Sequence, residues 1–275
     1  MPAPGSQSAE KHFAFGANWK SYVELVGDRE IEQAKKGLLK LVPEAELRGR
    51  AFLDIGCGSG LHALAAAQLG ISRIVAIDYD PDSADTAKAL LERFRIAIPW
   101  RVERADLFDL DAAQLGRFDI VYSWGVLHHT GDMWRAIRQA ASFVAPNGLL
   151  AVALYRSTQM DAFWKWEKRW YSQASPALQR VARALYLTGN WLFCTINRRS
   201  YRTMVENYNS LRGMDFHHDV HDWLGGYPYE TALAPEVDAK LTALGFKAER
   251  VFAQPMSRGL LGSGCDEYVY RRQPV

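Results

Sequence analysis

Between Phe52 and Gly60 the chain reads FLDIGCGSG. An apolar run, Ala51-Phe52-Leu53, leads into Asp54. Glycines then alternate at Gly56, Gly58 and Gly60, and a helix-compatible run from Leu61 to Leu69 follows at once. This is a strand, a tight turn and a helix. Glycine is required where the backbone turns with positive φ or where a ligand presses against it. The N–H groups that open a helix attract an acidic ligand group. The first expectation is therefore an α/β fold with a nucleotide-like ligand seated over the end of this strand.

The glycine spacing narrows the ligand. A dinucleotide turn needs G-x-G-x-x-G. Here the third glycine falls one residue early, and Leu61 occupies the position where it should stand. Asp54 adds a carboxylate at the strand end, which repels a pyrophosphate but can hold an ammonium through ordered water. Further short apolar runs follow at Arg73–Ile77, Trp100–Ala105 and Phe118–Ser123, then at Leu149–Leu154 after Pro146-Asn147-Gly148. The first two of these end in Asp78 and Asp106. An acid at the tip of the second strand, about 20 residues past the glycines, is placed to grip a ribose diol. Strand and helix alternate from 50 to 154, which implies a parallel sheet with helices on both faces.

The pattern D-x-G-x-G-x-G from Asp54 to Gly60 resembles motif I of the class I S-adenosylmethionine-dependent methyltransferases. The likeness runs from about Phe52 to Leu154. It includes Asp106 after strand three and Val126-Leu127-His128-His129 after strand four. The resemblance implies S-adenosylmethionine (SAM) as cofactor. Gly56, Cys57, Gly58 and Gly60 would shape its turn, and Asp54 would orient its amino group. Asp78, with Tyr79 beside it, would take the ribose. Asp106 and Leu107 would take the adenine, and Ser123 would add a further contact. The implied fold is a Rossmann-like, mostly parallel seven-stranded sheet. An antiparallel C-terminal hairpin from Phe246–Phe252 and Glu267–Arg271 closes it. The likeness is nearest to ubiquinone/menaquinone-type and tailoring methyltransferases, so the expected reaction moves a methyl group to oxygen or nitrogen of a small-molecule acceptor. The Asn/Asp-Pro-Pro-Tyr segment of nucleobase and glutamine amine methylation is replaced by Ser123-Trp124-Gly125-Val126. That argues against a nucleic-acid substrate. A noncatalytic SAM-binding subunit, or a lipid-like or macromolecular acceptor, is the alternative.

The rest of the chain frames this core. Four segments are expected: a tail and helical cap over 1–48, the SAM-binding core over 49–154, a helical insertion over 155–230, and a helix with closing strands over 231–275. In the cap, Ile31, Ala34, Leu38 and Leu41 repeat at helical spacing. The three cysteines form no C-x-x-C pair and argue for a reducing compartment. Residues 1–10 lack the pattern of a signal peptide. No apolar run approaches the ~20 residues of a membrane span. The cytoplasm is the expected location.

The insertion carries ten Arg/Lys against three Asp/Glu between Arg156 and Arg212, a local +7. The whole chain carries +2, so the remainder sums to −5. Phe163, Trp166 and Trp170 form one apolar stripe; Leu178, Val181, Ala182 and Leu185 form another, behind a Ser175-Pro176 helix start. A solvated lid, a face for an anionic substrate and peripheral contact with a membrane surface all stay open for it. Oligomeric state is not legible.

Residues 213–230 read GMDFHHDVHDWLGGYPYE. Polar and aromatic groups crowded together in this way suit substrate binding. Asp222, Trp223, Tyr227 and Tyr229 are the candidates, with Trp19 from the cap and Trp124 after strand four. His217 and His221 are four apart, but the flanking residues form no diagnostic ligand set, so no metal is expected. A hydroxyl acceptor needs a base, and His128, His129, His218 and His221 are the candidates.

Overall fold

The computed structural model describes residues 15, 16, 19, 23, 26–212 and 216–274; the side chains of 209–212, 217 and 218 lie outside that description. Its centre is a seven-stranded sheet in the order β3-β2-β1-β4-β5-β7-β6. The strands are β1 (Ala51–Ile55), β2 (Arg73–Asp78), β3 (Trp100–Arg104), β4 (Phe118–Trp124), β5 (Val144–Tyr155), β6 (Phe246–Phe252) and β7 (Cys265–Arg272). The first five run parallel, and β7 lies antiparallel to both β5 and β6. The fold is α/β, with the expected antiparallel hairpin closing one edge. β5 starts earlier than its apolar run suggests. Val144 already pairs with Phe118, and the ladder resumes at Leu149 after an irregularity that absorbs Pro146-Asn147-Gly148.

Before the sheet come α1 (Asp28–Leu41) and α2 (Glu44–Leu47). Within the alternating part come α3 (Leu61–Gln68), α4 (Pro81–Arg93), α5 (Ala112–Leu115) and α6 (Met133–Ser142), with single 3-10 turns at Leu107–Asp109 and Leu127–His129. After β5 follow α7 (Asp161–Gln173), α8 (Pro176–Ile196), α9 (Tyr201–Arg212), α10 (Phe216–Gly225) and α11 (Ala234–Ala243).

Period-two alternation sends each strand's side chains to opposite faces. Phe52, Ile74, Ala76, Ile120 and Tyr122 join Ile31, Leu38 and Leu41 of α1 and the small side chains of α3 in one core. Leu53, Ile55, Val75, Ile77, Val121 and Val152 join Ile137 of α6 and Leu241 of α11 in the other. Strands covered on both faces read as nearly unbroken apolar runs. That is why the runs were readable, and why the polar residues at strand ends stand out. The four α1 positions expected from periodicity are the buried ones.

The helices after β5 carry a small core of their own, with Trp164, Tyr171, Phe216, Val220 and Trp223 at its centre. Here the sequence reading is corrected. Phe163, Trp166 and Trp170 are exposed, and α7 buries Trp164, Glu167, Lys168 and Tyr171 instead. On α8, Leu178, Val181 and Leu185 also point outward. Residues 216–225, the crowded polar and aromatic segment, form a helix.

Candidate active site

The glycine turn is built on the expected backbone. Gly56, Gly58 and Gly60 have φ of 71°, 52° and 79°. The Gly56 and Cys57 amides both donate to the Ile77 carbonyl, at 2.8 and 3.0 Å, which fastens the turn to β2. The Gly58 amide donates to Asp78 Oδ2 at 2.9 Å, and the Asp80 amide donates to Asp78 Oδ1 at 2.9 Å. One carboxylate therefore joins the two loops at the C-terminal edge of the sheet. A Cβ on Gly58 would come within 3.0 Å of the Trp19 indole. Backbone and aromatic cap already meet at van der Waals distance there.

Above this turn lies a cavity of about 1100 Å³. At one end its wall comprises the glycine turn, Asp78, Tyr79, Asp106 and Leu107; at the other it comprises Trp124, His129, Tyr155, Asp222, Trp223 and Tyr227. The cap reaches over it. The Gly16 amide donates to Asp80 Oδ2 at 3.1 Å, Phe15 lies 5.5 Å from the His129 ring, and Trp19 lines the wall. Asp106 accepts from the Phe108 amide at 2.9 Å, which opens the 3-10 turn that presents Leu107.

Burial sets the acidities. Asp78 is pushed up to about 6 by loss of solvent, against the lowering effect of the Gly58 and Asp80 amides. Asp54 is pushed up to about 7, by burial first and by the Asp78 charge second. The Cys57 thiol is raised well above its ordinary value by burial, so it is a packed small side chain and no nucleophile.

Several expected contacts fall elsewhere. Asp54 does not line the cavity; it is buried beneath the turn, with Oδ2 unpartnered among the described residues. Ser123 is fully buried, and its hydroxyl donates to the Ile55 carbonyl at 2.9 Å, so it ties β4 to β1. Tyr229 packs among Trp223 and Tyr155, away from the cavity wall, and its hydroxyl lies 3.4 Å from Asp161.

The histidines separate cleanly. His128 is buried behind the wall. Its Nδ1 accepts the Tyr155 amide at 3.2 Å, and its ring lies 3.8 Å from that of Tyr155. Burial, with the neighbouring His129 and Lys168, holds it well below its ordinary value and therefore neutral. His221 is engaged by Tyr171 Oη at 2.8 Å and Arg183 Nη1 at 2.9 Å, outside the cavity wall. The side chain of His218 lies outside the described residues. His129 alone of the four expected bases lies on the wall among the described residues, with Nδ1 2.7 Å from the Pro228 carbonyl. A carbonyl can only accept, so Nδ1 carries the proton and Nε2 is the acceptor nitrogen. Among the described residues no group of three His, Cys, Asp or Glu could hold a metal ion.

Sequence reasoning missed four parts of the wall. His62, on α3, is held near 4 by burial and lies 5.1 Å from the Tyr122 ring. Glu267 of β7 accepts from Trp124 Nε1 at 2.9 Å and pairs with Lys40. Tyr155 stands at the end of β5, and Tyr186 and Asn190 come from α8. Only Tyr155 had a usable signal, the last residue of an apolar strand. Lys168, fully buried against the Trp223 ring at 3.5 Å, donates to the Trp223 carbonyl and braces the aromatic end from behind.

A ligand cavity at the C-terminal edge of a doubly wound sheet, over a glycine turn, defines a Rossmann-like binding protein. The chain belongs to the methyltransferase-domain family, whose model matches residues 26–210, more than half of its length. It is 34% identical over 113 residues to the ubiquinone biosynthesis O-methyltransferase of Xanthomonas euvesicatoria pv. vesicatoria, covering 41% of this chain and 46% of that protein. It is 35% identical over 118 residues to the protein of the same name from Methylocella silvestris, covering 42% and 44%. The match thus spans less than half the length of these relatives. In fold the chain is similar to the magnesium protoporphyrin IX methyltransferase of Synechocystis PCC 6803, solved with bound SAH. The TM-score is 0.55, with 15% identity over 94% of each chain. It is also similar to an O-methyltransferase family protein from Burkholderia thailandensis, with a TM-score of 0.55 and 14% identity over 97% of this chain and 66% of that one.

Proposed function

We propose that the chain is a SAM-dependent methyltransferase that moves a methyl group to an oxygen or nitrogen of a small-molecule acceptor with an aromatic or apolar body. The observation that carries this reading is a single cavity with two chemically different ends. One end is the glycine turn with Asp78 and Asp106; the other gathers Trp124, Tyr155, Trp223 and Tyr227 around His129, with Asp222 among them. A volume of about 1100 Å³ exceeds the ~300–1000 Å³ of an ordinary single-ligand pocket, which suits two reactants side by side.

The residues present fit SAM. Two carboxylates, Asp78 and Asp106, line the cavity beside the glycine turn, a set of acceptors that suits a ribose and an adenine and not a phosphate. Asp78 offers acceptor oxygens to ribose hydroxyls, Asp106 to an adenine amine, and Leu107 an apolar face to the ring. Asp78 makes the turn a poor seat for phosphate and a good one for a cation. When bound, SAM supplies a methyl group on a positively charged sulfur. The protein's part is to orient the acceptor, exclude water and take up a proton. Trp223, Tyr155 and Trp124 hold the acceptor body. The Pro228 carbonyl fixes the His129 tautomer, so that Nε2 receives the acceptor's hydroxyl proton. An amine acceptor needs less help from a base.

The reading is tested by incubating the protein with methyl-labelled SAM and an extract of its host, then fractionating the products. Label in small molecules is the expected result. Label on RNA, DNA or protein contradicts the acceptor class. SAM binding without any label points to a noncatalytic subunit.

A further inference from the structure

The helix that walls the acceptor end has its apolar face on the outside. α8 turns Tyr186 and Asn190 toward the cavity and buries Cys194 behind them. Its opposite side carries Leu178, Val181, Leu185, Leu192 and Ile196, between 46% and 78% exposed. At ~100° per residue these five fall within about 60° of one another and run ~27 Å along the axis. Trp191 and Phe193, also exposed, flank the stripe near its C-terminal end. A helix on the surface of a protein bathed only in water turns such a stripe inward. Here the inward side is the more polar one.

The charge around the stripe is one-sided. From Ser172 to Arg202 there are five arginines, Arg180, Arg183, Arg198, Arg199 and Arg202, and no Asp or Glu. Arg183 is turned inward to His221, and Arg202 pairs with Glu206. Arg180, Arg198 and Arg199 are exposed. The insertion's +7 against −5 for the remainder sets this charge apart from the rest of the molecule.

We propose that the outer face of α8 docks on an anionic phospholipid bilayer. The Leu178–Ile196 stripe enters the headgroup boundary, and Arg198 and Arg199 at its C-terminal end meet lipid phosphates. Among the described residues no helix is long and apolar enough to cross a membrane, so the contact is peripheral. A second copy seated on the same face would bring the two arginine groups together without a compensating acid. Anionic headgroups compensate them. The cavity then lies one helix diameter, ~10 Å, from the lipid. This inference rests on the α8 surface and not on the methyl-transfer reading.

The test is flotation of the full chain with vesicles of phosphatidylcholine alone and of phosphatidylcholine with roughly a quarter phosphatidylglycerol. The expected result is at least ~10-fold more bound protein on the anionic vesicles, falling as salt is raised. The double variant Leu185→Asp/Leu192→Asp should lose at least ~10-fold of that binding. It should keep the wild-type circular dichroism and melting temperature, because both positions are exposed. Equal binding to both vesicle types, no flotation, or a double variant that floats like wild type each overturn the proposal. So does a concentration-dependent dimer, or a complex with one protein partner, that the double variant abolishes while vesicles bind neither form.

Discussion

Replacing Asp54 by Asn isolates the electrostatic cost of building the glycine turn over a buried acid. Asp54 is fully buried and titrates near 7, against an ordinary value of 3.8. Its folded value is raised, so the native protein keeps a proton that the unfolded chain releases. Stability therefore falls as pH climbs from about 4 through about 7, and levels off above. At about 1.4 kcal/mol per unit, the ionisable carboxyl costs about 1.5–2 kcal/mol near pH 5 and about 4 kcal/mol near pH 8. Asn carries no such dependence. It leaves a buried amide in place of the unpartnered Oδ2, which adds a constant offset of about 1–3 kcal/mol. The offset does not change with pH, so the slope is the readout. Urea unfolding near pH 5 and near pH 8 should show the variant gaining about 2–3 kcal/mol relative to wild type between the two. A difference that stays flat to within about 0.5 kcal/mol would refute the buried-acid reasoning.

Four further outcomes follow from the same geometry. Asp78→Ala should weaken SAM binding at least ~10-fold by calorimetry while a cooperative melt is retained; unchanged affinity removes Asp78 from the ribose. Asp78 itself titrates near 6 and faces a ligand that carries a positive centre. Wild-type SAM affinity should therefore rise as pH passes from about 5 to about 8, and a fall would contradict the cation seat. His129→Ala should lower turnover of a hydroxyl acceptor by ~10²–10⁴ with SAM affinity unchanged. His128→Ala should instead lower the melting point and leave turnover of the folded protein within about tenfold, since His128 lies behind the wall. Equal losses of turnover in the two would sink the assignment of the base.

The sheet and its turn were legible because each signal was local. The glycines, the acids at strand tips and the doubly buried strands leave their marks within a few residues. The site was legible only in part. His128 and His129 are consecutive on a 3-10 turn, where successive side chains point ~120° apart. No local pattern says which of them meets the cavity; Pro228, ninety-nine positions away in sequence, decides it. Ser123 was recoverable. Tyr122 and Trp124 line the cavity, and strand alternation sends the residue between them the other way. Of the stripe read on α8, Leu178, Val181 and Leu185 share the outer face while Ala182 packs inward; spacing cannot say which face is buried. That depended on Tyr186 and Asn190 being claimed by the cavity. Lys168, one of the ten basic residues of the insertion, is fully buried, because Trp223 and Tyr229 close over it from α10 and the turn beyond. Contacts of that kind, between elements far apart in sequence, leave no periodicity to read.

The most direct test of the central claim is a crystal structure of the protein with S-adenosylhomocysteine. The account predicts the ribose on Asp78, the adenine between Asp106 and Leu107, and the homocysteine sulfur pointing along the cavity toward His129. Ligand density away from the Gly56–Gly60 turn, or a sulfur facing away from the aromatic end, would contradict it.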